Sequence, residues 1–294
     1  MLLTVEYTPG KAERQLYELL YAYINQPEKK AFPEMNQYDL ALRLLGLVGS
    51  STAAILQTIK GIVKRLQGLE NAAEELPQWQ GIQTVAESIP QDAKAGELLT
   101  VLKQGFSLMK KTGAKQKAVI FTESVETQKM LQYLLSGQYR TLAYNGSADY
   151  SVIRQFKEDG EVLISTDNGA KGFNLEEAAF IIHYDLPYNT LKLEQRIDRC
   201  HRLGQENDVL SVAFIDKNNF ADVRKLELVN KRMLVTDGVF GITDDVLGGF
   251  TDDVKAAFPV IAQRLRPRAQ IEQAYRQTLS IHEEDNRQTV SAAE

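Results

Sequence analysis

The chain of 294 residues has a single cysteine, Cys200. That excludes an intrachain disulfide and a multi-cysteine metal site. There is no apolar run long enough to span a bilayer and no secretory leader, so the expectation is a cytoplasmic chain with no membrane partner. Positive charge is not in excess: 34 Lys and Arg stand against 39 Asp and Glu, a net charge of −5. Nucleic acid is therefore not coated by bulk charge, and any contact must come from a local patch. A phosphate loop of the form Gly-x-x-x-x-Gly-Lys-[Ser/Thr] is also missing; Gly10-Lys11 is followed by Ala12 at a helix start. No Asp-Glu pair ends an apolar strand. By itself, such a chain is expected neither to hold ATP tightly nor to hydrolyse it. No Gly-x-Gly-x-x-Gly follows a strand, which leaves a Rossmann-like nucleotide enzyme with little support.

What is present is ordinary for a globular protein: 44% hydrophobic and 25% charged residues, enough for one large domain or two smaller ones. Residues 1–92 read as helical, a linker or subdomain. Thr8 and Pro9 open a helix as cap and first-turn residue, and Leu16, Leu19, Leu20, Tyr23 and Ile24 form one apolar face. Leu40, Leu44 and Leu47 give a second helix. Ser51 starts a third, with Ile55, Ile59, Ile62 and Leu66 inward. The aromatic rings Tyr7, Tyr17, Tyr21 and Tyr23 suit packing better than base stacking at this spacing. Residues 70–92, with Pro77, Trp79, Gly81 and Pro90, read as a polar connector in which Trp79 is a packing anchor.

From Ala93 the pattern alternates. Helices are expected over 95–111, 125–135 and 153–156, and short strands at 118–121, 140–144, 162–165, 180–184 and 210–215. Alternation of this kind implies a parallel sheet with helices on both faces. The stretch from Val162 to Val209 organises the rest. Two apolar runs end in polar or Gly-rich turns, as in a buried parallel sheet that carries ligand-handling residues at its carboxyl ends. A basic segment from Leu191 to Leu203 then reads as a helix. At about 100° per residue, Gln195, Arg199 and Arg202 share one narrow face, with Arg196 about 100° away. Two guanidiniums on one face suit a phosphate oxygen that gains charge. The plainer reading is an exposed helix whose arginines pair with Glu194 and Asp198.

The context favours the first reading. Gln195-Arg-Ile-Asp-Arg-Cys-His-Arg-Leu-Gly-Gln205 closely resembles motif VI of the Swi/Snf-type ATPases of helicase superfamily two. Ser165-Thr-Asp-Asn-Gly-Ala-Lys-Gly-Phe-Asn-Leu175 is similar to their motif V, and Lys117-Ala-Val-Ile-Phe-Thr-Glu123 to their motif IV. The three blocks stand in the family's order, and the resemblance is nearest to the bacterial RapA/HepA-like branch. It covers residues 93–216 clearly and Leu3 to Leu69 more weakly.

The resemblance implies an α/β fold, a RecA-like parallel sheet over 93–216, flanked by helical N- and C-terminal segments. It implies the second motor domain of a DNA-dependent ATPase or translocase. ATP with Mg²⁺ would be held mainly by a missing N-terminal RecA-like motor domain, joined in cis or in trans, and double-stranded DNA would be the track. Arg199 and Arg202 match the arginine-finger positions, with Gln195 orienting that face. Gly172 and Asn174 would lie near the nucleotide. Asn174 also has a plainer reading, a capping box with Glu177. Thr122, Ser165 and Thr166 would contact nucleic-acid phosphates, and Gly169 would permit close backbone approach. Cys200 and His201 lie off the finger face and suit packing. No metal site is implied. The chain departs from the family where the segment between Gly146 and Phe156 is short and where Asn189-Thr190 replaces Asn-Pro. A non-catalytic RecA-like adapter that binds nucleic acid or protein is the alternative.

Residues 217–294 are expected to extend this domain with a helix from Val223 to Met233. A Gly- and Asp-rich loop over 236–249 then leads to a further helical stretch and a polar tail. Thr243-Asp244-Asp245 lacks the ligand spacing of a calcium loop, and Arg264, Arg266 and Arg268 form a small basic patch.

Overall fold

The computed structural model describes residues 2–69, 74–146, 150–167 and 172–236, with side chains to residue 230. In chain order the elements are β1 (Leu2–Glu6), α1 (Lys11–Ile24), α2 (Gln37–Ser50), α3 (Thr52–Gln67), α4 (Glu75–Glu87), α5 (Ala93–Thr112), β2 (Ala118–Thr122) and α6 (Val125–Leu135). They continue as β3 (Thr141–Tyr144), α7 (Ser151–Glu158), β4 (Val162–Thr166), β5 (Phe180–His183), α8 (Thr190–Cys200), β6 (Leu210–Ile215) and α9 (Phe220–Thr236). Six strands form one parallel sheet in the order β1-β6-β5-β2-β4-β3. The fold is RecA-like, as the alternation of strands and helices implied.

Period-two geometry sends alternate strand residues to opposite faces. Ala118, Ile120, Val162, Ile164, Phe180 and Ile182 meet α5 and α6 through Leu98, Val101, Leu102, Leu131 and Leu135. Val119, Phe121, Leu163 and Ile181 meet Ile153 and Phe156 of α7 and Cys200 of α8 on the other face. The central strands are buried on both sides, which is why they read as unbroken apolar runs. α5 lies so close to the sheet that a Cβ on Gly105 would sit 2.0 Å from the Phe180 ring.

Four local expectations are corrected. Residues 1–92 are not helical throughout, because Leu2–Glu6 is an edge strand in register with Ser211–Ile215. Five residues are too few for periodicity to separate strand from helix lead-in, and a boundary at residue 93 would cut the sheet. α1 begins at Lys11 with Gly10 as its cap, not at Thr8 and Pro9; the Glu13 carboxylate accepts the Gly10 amide at 2.6 Å. The stretch expected as connector holds α4, with Pro77 in its first turn where a missing N–H costs nothing. The helix expected to reach Leu203 stops at Cys200, with His201 as its C-cap. Trp79 is the packing anchor expected, fully buried with its ring 4.6 Å from that of Tyr23.

α1 to α4 build a core of their own around Leu16, Tyr23, Leu40, Leu44, Ile55, Ile59 and Trp79. This helical unit is fastened to the carboxyl end of the sheet by a buried polar network centred on Asp185. Its carboxylate accepts Ser50 Oγ at 2.8 Å, Thr122 Oγ1 at 2.5 Å, the Glu123 amide at 3.0 Å and Lys94 Nζ at 3.1 Å. Burial pushes the Asp185 carboxyl up, but Lys94, Lys225 and the Thr122 and Glu123 hydrogen bonds outweigh it and hold it below the usual range.

The features expected beyond residue 236, namely the Gly- and Asp-rich loop, the Thr243–Asp245 triplet, the arginine patch and the tail, lie outside the described residues. Among the described residues no helix is long and apolar enough to cross a membrane, and no His, Cys, Asp and Glu side chains cluster as metal ligands.

Candidate functional site

α8 starts at a real cap: the Asn189 side chain accepts the Leu191 amide at 3.0 Å, so Asn189-Thr190 opens the helix without a proline. Leu193, Arg196 and Cys200 face inward. Gln195 and Arg199 fall on the outer side, as helical spacing requires. Arg202 does not reach that side by helical periodicity, since the helix has already ended. It is carried there by the turn after the cap, where its amide bonds the Cys200 carbonyl at 3.2 Å. The outcome is nevertheless the expected grouping. Gln195, Asp198, Arg199, His201, Arg202 and Leu203 line one open concavity of about 490 Å³.

The arginines differ in what holds them. Arg199 is half-buried and, among the described residues, has no hydrogen-bond or ion-pair partner; pairing with Asp198 is not seen. Arg202 is exposed, and its Nη1 donates to Asn174 Oδ1. Asn174 therefore does not cap a helix with Glu177; no helix follows it. Gly172, two residues earlier, has φ +89°, a conformation that glycine adopts without strain. The structure thus brings Asn174, Gln195, Arg199 and Arg202 to one region. His201 is exposed in the concavity rather than packed, while Cys200 is buried and its thiol pushed up by burial, with Glu176 and Glu177 adding.

The expected nucleic-acid contacts are arranged differently. Thr122, Ser165 and Thr166 do end β2 and β4, but all three are buried. The Thr122 hydroxyl is spent on Asp185, and the Ser165 hydroxyl donates to the Thr166 carbonyl at 3.0 Å. Thr122 shares the Asp185 carboxylate with Ser50 of α2 and is fully buried. Gly169 lies outside the described residues.

Sequence reasoning passed over Arg196, Asp167 and Asp185. Arg196 is 2% exposed; its Nε bonds Asp167 Oδ1 at 2.7 Å, its Nη1 the Asp185 carbonyl at 2.7 Å, and its guanidinium lies 5.3 Å from the Phe121 ring centre. The available signal was helix phase, which put Arg196 between the inward Leu193 and Cys200.

A parallel six-stranded sheet with an arginine-bearing helix after the fifth strand is the RecA-like arrangement of helicase domains. Residues 97–204 match the model of the helicase conserved C-terminal domain, and this region is a helicase C-terminal domain of helicase superfamily two. The chain is 32% identical over 204 residues to the uncharacterized ATP-dependent helicase YqhH of Bacillus subtilis, covering 67% of this chain and 34% of that protein. It is 27% identical over 186 residues to the RNA polymerase-associated protein RapA of Vibrio vulnificus, covering 60% of this chain and 17% of that one. The chain thus spans about a third or less of the length of these relatives. In fold it is similar to the C-terminal part of the Fun30 ATPase domain, with a TM-score of 0.52 and 18% identity, over 78% of this chain and 89% of that one.

Proposed function

We propose that the chain is the second motor domain of a Swi/Snf-type translocase that runs on double-stranded DNA and is driven by ATP hydrolysis. A first RecA-like domain, in cis or in trans, holds ATP and its Mg²⁺; this domain completes the cleft. The observation that carries the reading is Arg199, a guanidinium with no partner among the described residues, beside Arg202 in an open concavity. The concavity suits an anion brought from outside, since Arg199 and Arg202 outnumber the one carboxylate in its lining, Asp198, and it is open to solvent. When ATP is in place, the bound triphosphate supplies the phosphoryl group that is transferred. Arg199 and Arg202 then stabilise charge on its outer oxygens, Gln195 orients their face, and Gly172 and Asn174 line the nucleotide side.

On the nucleic-acid side, Ser165 and Thr166 contribute through the backbone at the end of β4, the resemblance adds Gly169, and the Thr122 hydroxyl, spent on Asp185, is not part of the contact. The test joins the chain to a first motor domain with an intact phosphate loop and measures ATP turnover with and without duplex DNA. DNA-stimulated turnover that Arg199→Ala abolishes supports the motor. Nucleic-acid binding with no ATP turnover in the joined protein supports the alternative, a non-catalytic adapter.

A further inference from the structure

Arg196 is the meeting point of the three sequence blocks. It stands on α8, reaches Asp167 at the end of β4, hydrogen-bonds the main chain at Asp185 after β5, and lies over Phe121 of β2. Lys192, one turn earlier on α8, adds a second cation to Asp167 at 3.1 Å. The chain that leaves β4 at Asp167 returns to the same helix: the Leu175 amide donates to the Arg199 carbonyl at 2.8 Å, and Asn174 accepts from Arg202. One segment is therefore tied to α8 at both ends, at Asp167 through a buried guanidinium and at Asn174 and Leu175 beside the two outward arginines.

We propose that Arg196 and Asp167 are a positioning pair that locks the end of β4 to the arginine-bearing helix, and so holds that helix, with Arg199 and Arg202, against Asn174 and Leu175. The mechanical consequence for catalysis rests on the motor reading above; the locking itself does not. The chemistry favours the assignment. A planar guanidinium with fixed donors sets both distance and angle, where an ammonium sets only distance. Buried this deeply, the guanidinium keeps its geometry through the bonds of Nε and Nη1, while Nη2 lacks a hydrogen bond and is held by its charge 2.5 Å from Asp167 Oδ1. Arg196 is not itself a catalytic residue, because it faces the interior and touches no part of the concavity.

Asp167→Asn, Asp167→Glu and Arg196→Lys test it, in two arms. In the chain alone, hydrogen exchange at the Leu175 amide reads the far end of the tie. Asp167→Asn and Arg196→Lys are expected to speed that exchange by about 10–100-fold, the factor carried by a hydrogen bond to a charged group. Amides of β2 and β5 should keep their protection, and Asp167→Glu should restore most of it at Leu175. Unchanged exchange at Leu175 in both Asp167→Asn and Arg196→Lys overturns the locking, as does a uniform loss across the sheet. In the chain joined to a first motor domain, Asp167→Asn is expected to lower kcat by about tenfold or more while the KM for ATP and the affinity for duplex DNA stay within about twofold. A kcat unchanged in a joined protein whose Arg199→Ala form is inactive overturns the catalytic consequence. If the joined protein never turns over ATP, the motor reading fails, and the exchange arm still decides the locking.

Discussion

Leu175 donates its backbone N–H to the carbonyl of Arg199 at 2.8 Å. Arg199 lies in the last turn of α8, where carbonyls have no partner within the helix. The motif V segment thus closes the end of the motif VI helix directly. The arginine that faces the concavity has its main chain fixed by the neighbouring block while its side chain has no partner among the described residues.

The chain by itself is expected to show no DNA-stimulated ATPase activity, because it carries no phosphate loop and no acidic pair at a strand end. Phosphate release from pure protein, with and without duplex DNA, measures this. Robust turnover would sink the reading of a half-motor.

In the joined motor, Arg199→Ala and Arg202→Ala are each expected to lower turnover by about 10³–10⁵, roughly 4–7 kcal/mol of barrier. Arg→Lys should recover little of it, and DNA affinity should barely move. Near-full activity in both alanine variants would remove the arginine face from the chemistry. Arg196→Ala is not a neutral control: it leaves a hole beside Phe121 and strips Asp167 of a buried partner. Its expected effect is a loss of stability of about 3–5 kcal/mol, read in denaturant midpoints.

Duplex DNA is expected to bind weakly and with a steep dependence on salt, since backbone contacts to phosphate release counterions. A fluorescence titration at several salt concentrations measures the slope. Affinity that ignores salt would place the contact elsewhere than on phosphates.

Asp222 should make stability depend on pH. Burial, with some help from Asp185, raises its carboxyl to about 6 against Lys94, Lys225 and the Asp216 amide, which pull it down. The folded state therefore keeps a proton that the unfolded chain loses. The contribution is fully favourable below the ordinary value near 3.8 and is lost as pH rises through about 6. The loss is on the order of 3 kcal/mol by pH 7. Asp222→Asn is expected to be more stable than the parent chain at pH 7.5 by a margin that shrinks towards pH 4, in urea melts at both. A difference that is the same at both pH values would contradict it.

The strands and helices of residues 93–216 were legible because short apolar runs alternate with helical stretches and turn residues. Val125–Leu135 and Leu210–Ile215 have the bounds that the pattern set. β1 was not legible, since its identity comes from pairing with β6 some 200 residues away. Of the residues that line the concavity, spacing carried Gln195 and Arg199, and the resemblance carried Arg202. The sequence did not carry Thr122, whose hydroxyl is spent on Asp185, 63 residues away.

What the sequence alone determined is local chemistry: which segments alternate, which helix bears arginines, and which phosphate-binding loop is absent. Spacing along one helix is enough to place Gln195 and Arg199 together. The tertiary structure decided which charges are free and which are spent. Arg196 and Arg199 are three residues apart and chemically identical. Only the packing of α8 on the ends of β2, β4 and β5 buries the first against Asp167 and leaves the second open, because burial is a property of neighbours distant in sequence.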